Sequence, residues 1–178
     1  MKIVIVGCGR VGATLAEAYD AAGHQVVILD ISTRAFDRLD SSFKGSAVRG
    51  DGTDEDTLRR SGAEGADVFL ALTEGDNRNV MAAQVAIESL GIKRVVAKIN
   101  DPVRAAAYAE LGIATVCRTT MLSDAIQSFL GMEPSGMPWI IDAVAHEHGP
   151  GEGHAAAGRV VGTPAAGSSA ITTSGRKG

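Results

Sequence analysis

Cysteine is nearly absent from this chain: only Cys8 and Cys117 occur among 178 residues. Two thiols cannot form a disulfide framework, and neither stands in a metal-type spacing. No stretch approaches the roughly 20 apolar residues that a bilayer-spanning helix requires, so no transmembrane segment is expected. An excess of one charge is also missing. A formal net charge of −4 gives no electrostatic reason to expect nucleic acid or an acidic membrane surface as a partner. The N-terminus opens directly into an apolar run, so no cleavable signal is expected. What is present, 45% hydrophobic and 21% charged residues, describes a soluble globular chain with room for one medium domain and a remainder. The cytoplasm is its default compartment.

The chain is organised around MKIVIVGCGRVG at residues 1–12. An apolar strand meets Gly7, Gly9 and Gly12, and an Ala/Leu-rich helical pattern follows, so GxGxxG stands in its required strand–turn–helix setting. Gly7 permits the tight turn, Gly9 lets backbone approach a pyrophosphate, and Gly12 lets helix and strand pack closely. The unpaired N–H groups and positive dipole end of the helix then face the phosphates.

Strand and helix alternate down the chain. Strands are expected near 2–6, 25–29, 47–49, 67–71, 94–98 and 114–117. Helices are expected near 10–22, 33–39, 54–60, 76–90, 102–111 and 121–129. Val11, Leu15, Ala18 and Ala22 share one face of the first helix. Thr53 reads as the N-cap of the third helix, Asp101 with Pro102 opens the fifth, and Thr120 caps the sixth. Continuous apolar strands separated by helices mean a parallel sheet covered on both faces. The expected fold is therefore α/β, a doubly wound Rossmann sheet of six strands in the order 3-2-1-4-5-6. This domain occupies residues 1–130. Beyond it, residues 131–178 hold ten of the 22 glycines and four of the five prolines, the composition of a flexible tail. Within that tail MPWIIDAV (137–144) is an apolar island able to dock.

Asp30 ends the second strand, 18 positions after Gly12, where a carboxylate accepts hydrogen bonds from adenosine ribose hydroxyls. It also repels a 2′-phosphate and so favours NAD over NADP, with Arg34 as a mild counter-signal. A solvated strand-end acid would look the same. Gly50-Asp51-Gly52-Thr53 follows the third strand, where Asp51 and backbone groups can read an adenine edge, or simply cap a helix. Thr73 and Glu74 follow the fourth strand, facing a pyrophosphate or second ribose at the topological switch point; a capping loop would read alike. Arg10 can reach a terminal phosphate or lie on the surface. Lys98 can reach the same crevice, although a solvated strand end is the plainer reading. Cys8 fits either a reactive thiol at a helix terminus or a compact filler of the turn. His146, His148 and His154 lack the capped element that an ordered metal site needs.

Residues 1–130 show neither a Ser/His/Asp nor a Tyr-x-x-x-Lys arrangement. The tail cannot make the substrate lobe that hydride transfer requires. That favours a nucleotide sensor, with a small NAD-dependent oxidoreductase and an oligomerisation module carrying a vestigial site as alternatives.

MKIVIVGCGRVG, GHQVVILD, VRGDGTDEDTLRRSGAEGADVFLALTEGDNRNVMAAQVA and RVVAKINDPVRAAAYAELGI occur together in this order. In this the chain resembles the TrkA N-terminal domain family, the KTN or RCK N-lobe, over residues 1–130. The resemblance implies a non-catalytic regulatory subunit, cytoplasmic and peripheral to the inner face of the plasma membrane. Such a subunit binds NAD(H), with ATP or ADP as alternatives, and gates a membrane potassium transporter subunit. It implies a homo-oligomer, a dimer or larger, or pairing with a full-length regulatory subunit. Carried over by motif, the nucleotide residues are Gly7, Cys8, Gly9, Arg10, Val11, Gly12, Asp30, Asp51, Gly52, Thr73, Glu74 and Lys98. Family members continue past a crossover helix, here 121–129, into a small α/β lobe, which this sequence is expected to lack.

Overall fold

The computed structural model describes residues 1–142. Seven strands form one sheet in the order β3-β2-β1-β4-β5-β6-β7. They are β1 (Lys2–Val6), β2 (Gln25–Asp30), β3 (Ser46–Arg49), β4 (Val68–Ala71), β5 (Val95–Ile99), β6 (Ala114–Cys117) and β7 (Ile140–Ile141). Strands β1 to β6 pair in parallel, which is the expected doubly wound arrangement. The helices are α1 (Arg10–Ala21), α2 (Glu55–Arg60), α3 (Asp76–Glu88), α4 (Pro102–Ala109) and α5 (Arg118–Phe129).

Strand periodicity divides the core into two layers. Successive side chains of a strand point to opposite faces. Ile3 and Ile5 of β1 therefore pack with Val26, Ile28, Ala13 and Ala16 on the α1 side. Val4 and Val6 pack with Val27, Leu29, Phe69, Leu58, Ala82, Ala83 and Ala86 on the opposite side. Both faces of the central strands are buried, and their unbroken apolar sequence is what that requires. Alanine on the buried face of α3 lets the helix approach the sheet closely.

Some local expectations are corrected. The buried face of α1 is Gly12, Ala13 and Ala16, while Val11 is 52% exposed. The helix is rotated because backbone contact at Gly12 fixes which side meets the sheet. The short helix expected near 33–39 is a 3-10 helix, Thr33–Arg38. Asp54, not Thr53, caps α2, its carboxylate accepting from the Thr57 N–H at 2.9 Å. Thr53 instead donates its N–H and hydroxyl to Asp51. Helix α5 begins at Arg118. Thr120 lies inside it, buried, with its hydroxyl donating to Cys117 Sγ at 3.3 Å. Asp101 does cap α4, accepting from Val103 N–H at 2.9 Å, with Pro102 at the first helical position.

The apolar island supplies a strand beyond the expected six. Ile140 and Ile141 pair antiparallel with Val116 and Thr115, and Cys117 N–H donates to Trp139 O at 2.7 Å. The histidines 146, 148 and 154 lie outside the described residues.

Candidate functional site

Strand β1 lies between β2 and β4. The chain leaves β1 for β2 through α1 on one face and reaches β4 from β3 through α2 on the other. The gap this opens above the carboxyl ends of the strands is where doubly wound sheets bind ligands. A cleft of about 300 Å³ lies there.

The glycine turn builds one wall. Gly7 has φ +106°, and a Cβ there would stand 2.9 Å from the Leu72 carbonyl carbon and Thr73 nitrogen. A Cβ at Gly12 would come within 2.0 Å of Gly7 O, so the first turn of α1 rests directly on the loop backbone. Gly9 differs: a Cβ there meets nothing within 4 Å. Gly9 lines the cleft and has ordinary extended backbone, φ −75° and ψ −174°. The turn needs glycine at 7 and 12 to form; at 9 glycine leaves the space clear.

Asp30 fastens this wall to β2. Its Oδ2 accepts from the Cys8 N–H at 2.8 Å and its Oδ1 from the Ser32 N–H at 2.9 Å. Each oxygen retains acceptor capacity for a ribose hydroxyl. Cys8 itself is fully buried, and its thiol donates to Ala35 O at 3.3 Å. Burial, with the Asp30 charge adding to it, pushes the thiol up to about 11. The thiol is protonated at neutral pH, so the reactive-thiol reading falls and Cys8 fills the turn.

The facing wall comes from the loops after β3 and β4. Gly52 packs on β1, where a Cβ would stand 2.3 Å from a methyl of Val6. The Asp51 carboxylate is held below its ordinary range by the backbone N–H and hydroxyl of Thr53, and the Arg78 charge lowers it further. Thr73 and Glu74 complete this side.

Of the residues expected from sequence, Gly7, Cys8, Gly9, Asp30, Asp51, Gly52, Thr73 and Glu74 line the cleft. Arg10, Val11, Gly12 and Lys98 stand just outside it. Lys98 is 7% exposed, not a solvated strand end, and its ammonium lies 3.6 Å from Glu74 Oε1. Three residues were missed. Arg38 and Arg78 line the cleft. Asn79 is fully buried behind it. Its Oδ1 accepts from Thr73 N–H and Oγ1, both at 2.7 Å, and its Nδ2 donates to Lys98 O at 2.7 Å and Thr73 O at 3.0 Å. One amide thus ties the β4 loop to the end of β5. A polar residue beside Val80, on the helix face that carries Ala82, Ala83 and Ala86, was its signal.

A glycine turn docked on a helix, a carboxylate ending the second strand and a cleft at the sheet's switch point define an α/β domain of the Rossmann class. The chain belongs to the TrkA-N domain family, whose family model matches residues 3–119. It is 48% identical over 136 residues to the Trk system potassium uptake protein TrkA of Streptomyces coelicolor. That match covers 76% of this chain and 60% of the relative, so the chain spans less than two thirds of that protein's length. Among solved structures it is similar to the TrkA-N domain of the inner membrane protein ybaL from Escherichia coli. The TM-score is 0.65 at 20% identity, covering 72% of this chain and 96% of that one. It is also similar to the GsuK channel bound to NAD, with a TM-score of 0.58 at 20% identity, over 70% of this chain and 22% of that one. At these identities the likeness is one of fold.

Proposed function

We propose that this chain is the nucleotide-sensing part of a regulatory, non-catalytic subunit of a Trk-type potassium uptake system. In this reading it binds NAD(H), with ATP and ADP as competing ligands, and its state biases a membrane potassium transporter subunit from the cytoplasmic side. The observation that carries the reading is the clear space over Gly9 inside a cleft that also presents Asp30. Backbone N–H groups of the glycine turn would donate to the diphosphate, with the N-terminus of α1 behind them. Asp30 would accept from the adenosine ribose, Asp51 would face the base, and Thr73 and Glu74 the second ribose. Lys98 would reach the distal phosphate by releasing Glu74.

The non-catalytic reading is supported by the TrkA relative, which is a potassium uptake protein. The potassium role is supported by the TrkA relative named above. Pairing with a second copy or a longer regulatory subunit is supported by α5, whose Leu122, Ile126 and Phe129 are 57%, 51% and 89% exposed. A nucleotide would act by binding one arrangement of the paired domains more tightly than the other.

Native mass spectrometry of the undenatured protein tests the reading, because it weighs the co-purifying ligand and counts the subunits. The expected result is an adenine nucleotide in the cleft. No binding of NAD, NADH, ATP or ADP at millimolar concentration would leave an oligomerisation module with a vestigial site.

A further inference from the structure

The ribose end of the cleft is more basic than a lone Asp30 suggests. Arg38 ends the 3-10 turn and lines the cleft with Asp30, Ile31 and Ala35; its Nη1 donates to Ala35 O at 3.3 Å. Arg49 stands directly across from Asp30 in the β2–β3 register, and its Nε donates to Ile31 O at 3.4 Å. Each guanidinium is tethered to the loop after β2 by one nitrogen, which leaves its others to point elsewhere. Neither takes part in an ion pair among the described residues, whereas Arg59, Arg60 and Arg104 all do. Asp30, the one acid ending this strand, already has both oxygens engaged by backbone N–H groups, which soften its field.

We propose that Arg38 forms a phosphate subsite beside the adenosine ribose, with Arg49 adding positive charge from outside the cleft lining, so that the cleft takes 2′-phosphorylated dinucleotides, NADP(H), as well as NAD(H). This rests on the nucleotide reading above and deepens it. A carboxylate alone at the end of β2 rejects a 2′-phosphate, and an arginine nearby accommodates one. A guanidinium matches phosphate geometry with two parallel N–H donors, and a lysine cannot do the same. Arg34, the sequence's own counter-signal, sits one turn earlier and does not line the cleft; Arg38 takes the place foreseen for it.

The test is calorimetric titration of the full chain with NAD, NADP and adenosine 2′,5′-bisphosphate. The last carries the same phosphate without the nicotinamide half. Removing a charge-assisted hydrogen bond to the 2′-phosphate in Arg38→Ala should raise the ratio of NADP to NAD dissociation constants about tenfold. Adenosine 2′,5′-bisphosphate should weaken by a similar factor, and Arg38→Lys should recover only part of it. If wild type binds NAD and the ratio does not move in Arg38→Ala, the phosphate subsite is overturned while the nucleotide reading stands. If wild type binds neither dinucleotide, both fall together.

Discussion

At the scale of single residues, the glycines of the turn separate shape from space. Gly12→Ala would drive a methyl against Gly7 O. It should cost about 3 kcal/mol, as overpacking against backbone does, read from the urea midpoint. Gly9→Val meets nothing in the protein and has compatible backbone angles. It should fold normally yet weaken NAD more than about a hundredfold, since the side chain fills the approach to the phosphates. Potassium-uptake regulation should fail with it; intact regulation alongside lost binding would sink the proposed function. Cys8 offers a third reading at this scale. Below pH 9 its thiol is protonated whether the chain is folded or not, and between 9 and about 11 only the unfolded thiol ionises. Stability contributed by the buried thiol is therefore present below pH 9 and drains as pH climbs toward 11. Labelling by a thiol reagent at pH 8 should be negligible until denaturant is added.

Asp51 and Asp54 run the other way. Bonds from Thr53 and Thr57 hold their carboxyls below the ordinary 3.8. Their contribution is complete above that value and is lost as pH falls through the depressed folded range, which acid unfolding monitored by circular dichroism would follow. These bonds also show where sequence reading stops. The glycine turn was legible because strand, glycines and helix stood in one order; Asp30 was placed beside it by spacing, but its bonds to the Cys8 and Ser32 N–H groups were not. Thr53 and Asp54 are both good caps at adjacent positions, and only the backbone angles decide between them. Arg38 and Arg34 are alike in the sequence; the tightness of a 3-10 turn determines which one meets the cleft.

At the scale of elements, strands β1, β2 and β4 were readable because burial on both faces demands unbroken apolar runs. The orientation of α1 was not, since Val11 and Leu15 outrank Gly12 and Ala13 in hydrophobicity. The contact that overrules them is made by backbone, which side-chain periodicity does not register. Strand β7 was hidden for a related reason: a two-residue strand has no period to detect. The joint between elements that matters most for the cleft is Asn79. Asn79→Ala strips partners from Thr73 N–H and Lys98 O and should cost about 2–4 kcal/mol in equilibrium unfolding. Asp101→Ala, which removes a single cap from α4, should cost about 1 kcal/mol.

For the molecule as a whole, the two core layers give the central strands a support on each side that does not depend on any ligand. The α5 face with Leu122, Ile126 and Phe129 is apolar and open. Concentration-dependent sedimentation should detect self-association, and Phe129→Glu should weaken it. The seam between α1 and the glycine turn carries a last consequence. With backbone touching backbone there, the loop has no slack to take up under the proposed function. A nucleotide should then dock quickly, with a small heat-capacity change, and the proposed signal would be carried by how whole domains are arranged and not by a loop that hardens on contact.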